Sequence, residues 1–437
     1  MGNSGYKITV DFQNWFVTFT ALKSVGKCNK IREIEKGGSN VAQALGIYLH
    51  IPFCKSKCAY CDFYSLPGQE ARMDDYCRAL AAHMEETAAV AGGHVVDTVY
   101  FGGGTPSLLG SKRLRMLLDL LRKHYHVAKT CEITLEANPD SVNKKLVKRL
   151  RRAGVNRISI GMQSARDSEL EALGRPHRFA QVVQAVEAIR SAKIKNLSLD
   201  LMYGLPGQEM EDWRDTLERA IELQPEHLSC YGLKVEEGTA LASRVEAGEL
   251  LPDDDLQADM YLCAVKRLEE AGYRQYEISN FAKPGFESRH NLKYWTGGEY
   301  AGFGAGAHSD FGGRRYAFVR DLEQYIRRVA QGETVVSEEE LIPHDRRWGE
   351  YLMLRLRTTQ GIEGTEYRRD FRMNFDPLEQ KLEEFEARGL SIRENGRWRL
   401  TPGGFLLSNQ IIGTLLECQE EATLADTLAK IRRERTT

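Results

Sequence analysis

Ile51-Pro-Phe-Cys-Lys-Ser-Lys-Cys-Ala-Tyr-Cys-Asp-Phe63 places three cysteines, Cys54, Cys58 and Cys61, within eight residues, in the spacing C-x3-C-x2-C. An apolar, strand-like stretch, Leu45–Phe53, leads into them, so the thiols sit in a loop after a strand. Thiolates this close can converge on one metal centre. A closed structural zinc site or an ordinary four-iron cluster wants four protein ligands. After Cys61 come Asp62 and Phe63, and the next cysteine is Cys77. Three ligands leave one metal position open, and an open position is where a substrate or cofactor binds. Zinc is the competing reading, and three inert buried cysteines the bland one.

Downstream the chain alternates short β-branched or aromatic runs with amphipathic ones. The strand patterns are Gly46–His50, Thr98–Phe101, Glu132–Glu136, Arg157–Gly161, Leu197–Leu201, His227–Leu233 and Gln275–Ser279. The helical patterns between them are Lys112–His124, Lys144–Ala153, Phe179–Ala192, Trp213–Leu223 and Leu256–Ala271. Such alternation predicts parallel strands joined by right-handed crossovers, in an open or closed α/β barrel. The chemistry-bearing residues follow strand ends: the cysteines, Gly102–Gly104 after Phe101, and Glu136 closing its own strand. In a β/α barrel those loops share one face.

Past Ser337 the pattern changes. Arg346–Arg357 and Asp376–Arg388 read as helices, and Leu390–Arg393 and Arg397–Leu400 as a hairpin turned by Asn395-Gly396. Thr401 caps a further helix that has Pro402 at its first position. Glu420–Thr437 reads as a charged helix or fraying tail. The expected division is therefore 1–41, 42–336 and 337–437. Helices followed by a hairpin raise a winged, DNA-binding unit. Mixed charge without a basic stripe argues against nucleic acid and for packing on the barrel.

With 60 Lys and Arg against 62 Asp and Glu, no global field draws the chain to nucleic acid. Nine irregularly spaced cysteines do not form a secreted disulfide framework, and thiolates kept for a metal need a reducing compartment, so the expected location is cytoplasmic. No apolar run approaches the roughly 20 residues of a membrane span. Residues 1–41 hold a short apolar stretch, Trp15–Leu22, before basic Lys23–Lys36. They read as an extension, with peripheral membrane contact as the alternative.

The cysteine loop, Gly102-Gly-Gly-Thr-Pro106 and Glu136-Ala-Asn-Pro139 resemble the radical S-adenosylmethionine enzymes. Arg157-Ile-Ser-Ile-Gly-Met-Gln-Ser164, Leu173-Gly-Arg-Pro-His177 and Leu199-Asp-Leu-Met-Tyr-Gly-Leu-Pro-Gly207 narrow the likeness to the oxygen-independent coproporphyrinogen III oxidases and their relatives. Within that group the chain is most similar to the HemW-type haem chaperone branch. The resemblance runs from about Ala44 to the end of the chain and leaves residues 1–41 outside it. It implies a partial (β/α)6 barrel with a helical C-terminal accessory domain.

It also implies a [4Fe–4S] cluster on Cys54, Cys58 and Cys61, with S-adenosyl-L-methionine on the open iron. By residue-by-residue transfer, Tyr48, Gly103, Gly104, Thr105, Glu136, Gln163, Arg175, Asp200 and Lys234 line the cofactor region, Glu136 accepting from the ribose hydroxyls. Some of these positions belong to a second S-adenosylmethionine site in the oxidases. Two departures separate the branches. Phe63 stands where the oxidases carry a further cysteine, and their N-terminal closing segment has no counterpart in residues 1–41. His290-Asn-Leu-Lys-Tyr-Trp295 matches the H-N-x-x-Y-W motif of the chaperone branch, which implies haem held by His290, with His308 as a further candidate ligand. The implied function is delivery of haem to an apo-haemoprotein client, with a haem donor protein as a further partner. The alternative is oxidative decarboxylation of coproporphyrinogen III.

Overall fold

The computed structural model describes residues 43–436; the extension expected at 1–41 lies outside them. Six parallel strands come in chain order: β1 (Gln43–Ile51), β2 (His94–Gly103), β3 (Val127–Ala137), β4 (Arg157–Gln163), β5 (Asn196–Tyr203) and β6 (His227–Gly232). They are bridged by helices α1 (Met73–Thr87), α2 (Gly110–His124), α3 (Lys144–Ala153), α4 (Phe179–Ser191) and α5 (Met210–Glu222). This is the partial α/β barrel that the alternating sequence predicts.

The strands alternate by face. Val99, Phe101, Ile133, Leu135, Ile158, Ile160, Leu197, Leu199 and Leu228 turn outward into the core shared with the helices. Thr98, Tyr100, Glu132, Glu136, Arg157, Ser159, Ser198, Asp200, His227 and Ser229 take the other face and line a polar lumen. There they bond across strands: Ser159 and Ser229 to Asp200, Ser198 to His227, Tyr100 to Glu136.

The sheet continues beyond the barrel strands. The pattern at Gln275–Ser279 is not a seventh parallel strand. The chain there makes a tight antiparallel turn between β7 (Arg274–Gln275) and β8 (Asn280–Ala282), closed by the Asn280 amide on Glu277 O at 3.3 Å. A further parallel strand comes instead from β9 (Tyr300–Phe303), which pairs with β1 on its free side. Antiparallel β10 (His308–Phe311), β11 (Arg314–Phe318) and β12 (Val336–Leu341) extend that edge. α6 (Asp254–Glu270) precedes β7, and α7 (Arg289–Thr296) crosses the end of the barrel away from the cysteine loop. α8 (Leu322–Gln331) packs on α1.

A second apolar core gathers Leu352, Met353, Tyr367, Phe375, Leu382, Trp398, Phe405 and Ile412, with Tyr261 contributed from α6. It joins α9 (Trp348–Arg355), α10 (Gly364–Phe371), α11 (Asp376–Glu386), the hairpin Ser391–Glu394/Arg397–Leu400 and α12 (Ser408–Thr436). Thr401 caps its short helix by accepting from the Gly404 amide, with Pro402 first in the turn, as the sequence predicts. No helix among the described residues is long and apolar enough to cross a membrane.

Candidate functional site

The cysteine loop leaves β1 at the C-terminal ends of the parallel strands. Phe53–Cys54 pairs with Leu66–Pro67 and closes the loop on itself. Inside, the Cys61 amide donates to Cys58 O at 3.2 Å, and the Ala59 amide donates to Leu173 O at 3.0 Å. All three cysteines are half-buried free thiols. Burial pushes Cys54 and Cys61 above the ordinary thiol range, and the neighbouring sulfurs push in the same direction. A bound cation reverses that push, since a coordinating thiol is held as thiolate. Among the described residues no three His, Cys, Asp or Glu side chains, the three cysteines included, are already drawn together round a single metal ion.

Glycine makes room beside this loop. Gly103 ends β2 at φ +112°, where a Cβ would meet the His50 ring at 2.6 Å. A Cβ on Gly104 would lie 2.7 Å from Phe53 O and 3.0 Å from Cys54 Sγ. Thr105 follows, its Oγ1 3.6 Å from Cys54 Sγ and 3.1 Å from Asn138 Nδ2, which donates to it. The Asn138 carbonyl oxygen Oδ1 accepts from Arg175 Nη2 at 2.7 Å, and Arg175 Nη1 reaches Cys58 Sγ at 3.3 Å. These contacts make one bonded unit of the cysteine loop, the glycine loop and the end of β3. The donor set, the glycine cradle and the guanidinium beside a sulfur fit an iron–sulfur cluster.

Glu136 faces the same space. Its Oε1 accepts from Tyr100 OH at 2.7 Å and its Oε2 from the Gly103 amide at 3.1 Å. Desolvation pushes its carboxyl up to about 7, against those two hydrogen bonds. Asp200 lies two strands further round, on β5, its carboxylate caged by hydroxyls of Ser159 at 3.0 Å and Ser229 at 2.9 Å. Tyr48 bonds His50 Nδ1 at 3.1 Å. Gln163 closes β4 in the left-handed region at φ +64°, a conformation costly for a side chain and found where surroundings impose it. Lys234, just past β6, is turned to Glu236, 2.8 Å away.

The structure thus gathers Tyr48, Cys54, Cys58, Cys61, Gly103, Gly104, Thr105, Glu136, Gln163, Arg175 and Asp200 round the barrel mouth. His290 is elsewhere. It is fully buried at the opposite end of the lumen, with Nδ1 bonded to Thr98 Oγ1 at 2.8 Å and Nε2 to Tyr294 OH at 2.9 Å. Both ring nitrogens are engaged, and burial drives its pKa down to about 3. To ligate haem iron, as the H-N-x-x-Y-W motif implies, His290 would have to give up one of these two hydrogen bonds. His308 opens β10, and burial lowers its pKa within the field of Arg315 and Arg320.

Sequence reasoning passed over Tyr100, Asn138 and His50. Asn138 sits inside the Glu136-Ala-Asn-Pro139 motif, and Tyr100 shares an inward-facing alternation with Thr98. Those were the available signals.

A model of the radical SAM superfamily matches residues 48–220, and one of the HemN C-terminal domain matches residues 342–407. The heme chaperone HemW of Bacillus subtilis is 37% identical over 372 residues, 84% of this chain and 98% of that protein. The heme chaperone HemW of Mycobacterium tuberculosis is 38% identical over 378 residues, 86% of this chain and 95% of that protein. Among solved structures, the coproporphyrinogen III oxidase HemN of Escherichia coli superposes with a TM-score of 0.76 at 23% identity, over 86% of this chain and 91% of that one, a likeness of fold. The chain belongs to the HemW-type haem chaperone branch of the radical S-adenosylmethionine superfamily.

Proposed function

We propose that the chain is a haem chaperone that binds haem and passes it to apo-haemoproteins, and that it keeps a [4Fe–4S] cluster and S-adenosylmethionine as resident cofactors. The observation that carries this reading is the identity of 37–38% with proteins named haem chaperones, along 95–98% of their length. Phe63 supports it: at the place of the oxidases' further cysteine, the mouth carries a phenyl ring that is 58% exposed.

Cys54, Cys58 and Cys61 would each hold one iron. When bound, the cluster supplies a Lewis-acidic iron for the methionyl amino and carboxylate groups and an electron at low potential. The remaining work belongs to the chain. Arg175 donates to Cys58 Sγ and offsets cluster charge. The Gly103–Gly104 backbone leaves room for the methionyl end. The Glu136 carboxylate takes ribose hydroxyls once it is ionised. Asp200, Gln163 and Lys234 complete the wall. A reducing compartment such as the cytoplasm suits these thiolates, and a haem donor is expected upstream of the client.

The test mixes anaerobically reconstituted protein with haem, and then with a haem-free b-type haemoprotein. A stoichiometric Soret band that moves to the client supports the reading. Separate incubation with coproporphyrinogen III, S-adenosylmethionine and a reductant should give no protoporphyrinogen. Multiple turnovers there would establish the oxidase reading instead.

A further inference from the structure

We infer that the helix bearing His290 is a positioning element for the cofactor carboxylate: His290 fixes the Tyr100 ring, and Tyr100 fixes Glu136.

The helix closes the lumen from below. The backbone amides of Arg289 and His290 donate to the Glu132 carboxylate at 3.2 and 3.1 Å, so a strand residue neutralises the positive end of α7. Lys293 anchors the same helix to Asp97 at 2.8 Å. Its position is fixed from the strands, and with it the imidazole. The neutral ring has one donor and one acceptor nitrogen, so one of Thr98 and Tyr294 accepts from it and the other donates to it.

On this imidazole lies a ladder of rings. Its rungs close on one another: Tyr100 stacks on His290 at 5.1 Å and 25°, Tyr48 on Tyr100 at 6.2 Å and 26°, and Tyr48 on His290 itself at 6.4 Å and 26°. Two glycines clear the space for it. A Cβ on Gly46 would meet His290 Cε1 at 3.2 Å, and one on Gly102 would meet Tyr48 Cε2 at 2.9 Å and Tyr100 Cε1 at 3.0 Å. Tyr100 is therefore held edge and face, and its hydroxyl has one direction in which to donate. In that direction is Glu136 Oε1, 2.7 Å away. A route of direct contacts runs from the floor of the barrel to the carboxylate at its mouth, and every contact on it restricts a rotation. Toward Glu136, His290 is a positioning residue: it acts through Tyr100 and makes no direct bond to the carboxylate.

The inference rests on the proposed role of Glu136, and the experiment separates the two. S-Adenosylmethionine is titrated into reconstituted protein, with the cluster spectrum as readout, at a series of pH values. Tyr100→Phe should weaken binding about tenfold, the factor one hydrogen bond of ordinary strength carries. It should also move the pH midpoint of binding upward, because the Tyr100 bond holds the Glu136 pKa down. The other groups facing Glu136 are Tyr48, Tyr294, Arg157, Asp200 and the Gly103 amide, and only the Tyr294→Phe variant alters one of them. His290→Ala should move affinity and midpoint the same way and add little in a Tyr100→Phe background, the signature of residues acting in series. His290→Gln, which keeps a polar side chain of similar reach, should restore part of the loss. Should His290→Ala fail to fold, Tyr294→Phe loosens the ring by one bond and should give a smaller shift of the same sign. If Glu136→Ala weakens binding while Tyr100→Phe, or His290→Ala with its Tyr294→Phe substitute, leaves affinity and midpoint at wild-type values, the inference is overturned and the Glu136 reading stands. If Glu136→Ala itself binds normally, that reading falls and takes the inference with it.

Discussion

The guanidinium of Arg175 donates to the sulfur of Cys58 at 3.3 Å while its second terminal nitrogen donates to Asn138 Oδ1 at 2.7 Å and to Gly161 O at 3.0 Å. One side chain thus ties Cys58, a proposed cluster ligand, to the end of β3 and to β4. A planar fork suits these divergent acceptors, and an ammonium does not. Hydrogen bonds to the sulfurs are among the determinants of cluster potential. In Arg175→Lys the cluster should assemble but become harder to reduce, by about 60 mV, the one-electron equivalent of about 1.4 kcal/mol. A potentiometric titration followed by electron paramagnetic resonance measures it. An unchanged potential would show that Arg175 only packs.

Gly104→Ala tests the cradle. The new methyl would be pressed against two backbone carbonyls, Phe53 O at 2.7 Å and Ile51 O at 3.1 Å, as well as Cys54 Sγ. Backbone cannot rotate aside, so the cysteine loop must move, at about 1–3 kcal/mol. The variant should fold yet hold less than the full cluster after anaerobic reconstitution, as iron and sulfide analysis would show. Wild-type iron content together with wild-type cofactor affinity would mean that the loop tolerates the displacement.

Much of this was readable in the residues, and the failures have physical causes. The barrel strands were legible because each outward face repeats Val, Ile, Leu or Phe at period two, and the cysteines because three thiols so close have few structural uses. β9 was not: Tyr300-Ala-Gly-Phe303 has no β-branched residue, and the edge of β1 decides its state. Gln275–Ser279 carries strand-forming Tyr and Ile, but the Ser279 amide donates to the Glu277 side chain and turns the chain instead. The buried seat of His290 was not legible, because a helix beside aromatic residues looks the same in sequence whether it faces solvent or lumen. What decides it is remote: Thr98 and Glu132 on two strands bond to it from inside. Tyr100 was missed because its hydroxyl partner lies one strand away.

Glu136 makes stability depend on pH in the cofactor-free protein. Its carboxyl is pushed up to about 7 by desolvation, above the ordinary 4.5. The folded chain therefore holds this proton more tightly than the unfolded one. The favourable contribution is complete below the unfolded value and disappears as pH rises through 7. Glu136→Gln cannot lose a proton. Its melting temperature should match wild type near pH 4 and exceed it at pH 8. Parallel melting curves at the two pH values check this, and a difference that does not grow with pH would place the ordinary carboxylate pKa on Glu136.

The barrel edge and the C-terminal core are clamped by Asp310, whose two oxygens accept from Arg347 at 2.7 and 2.8 Å and, on one of them, from Arg315 at 3.0 Å. Glu350 takes the other side of Arg315 at 2.8 and 3.0 Å. Burial alone would raise the Asp310 pKa, but the two guanidiniums overcome it and hold the carboxyl below its ordinary range. Its contribution is present above the unfolded pKa and lost as pH falls through the lowered one. Asp310→Asn should cost about 2 kcal/mol at neutral pH, since the cluster is only partly exposed and removing one member leaves Arg347 without its bidentate acceptor. The penalty should shrink in acid. Denaturant melts of both proteins at pH 7 and pH 3 decide it, and equal midpoints at pH 7 would show that apolar packing alone joins the two cores.

Burial divides the thiols that could hold iron from those that could not. Cys54, Cys58 and Cys61 are half-buried at the barrel mouth, whereas Cys77 and Cys230 are buried within the main core. Burial pushes the Cys77 thiol up to about 12, as expected of a sulfur kept from solvent and from cations. Reconstitution without oxygen should give about four irons and four sulfides per chain, the composition of a [4Fe–4S] cluster. Serine at 54, 58 or 61 removes a thiolate and substitutes a poorer ligand for iron, so each change should abolish the cluster's absorption and electron resonance signals. Serine at 77 or 230 trades a buried sulfur for a hydroxyl. That should lower the melting temperature and leave iron content whole. The two groups of variants then separate on two instruments: the first loses iron at unchanged fold, the second loses stability at unchanged iron. A chain purified without oxygen that carries one stable zinc and takes up no iron would refute the cluster, and the three thiols would have to move together to hold it.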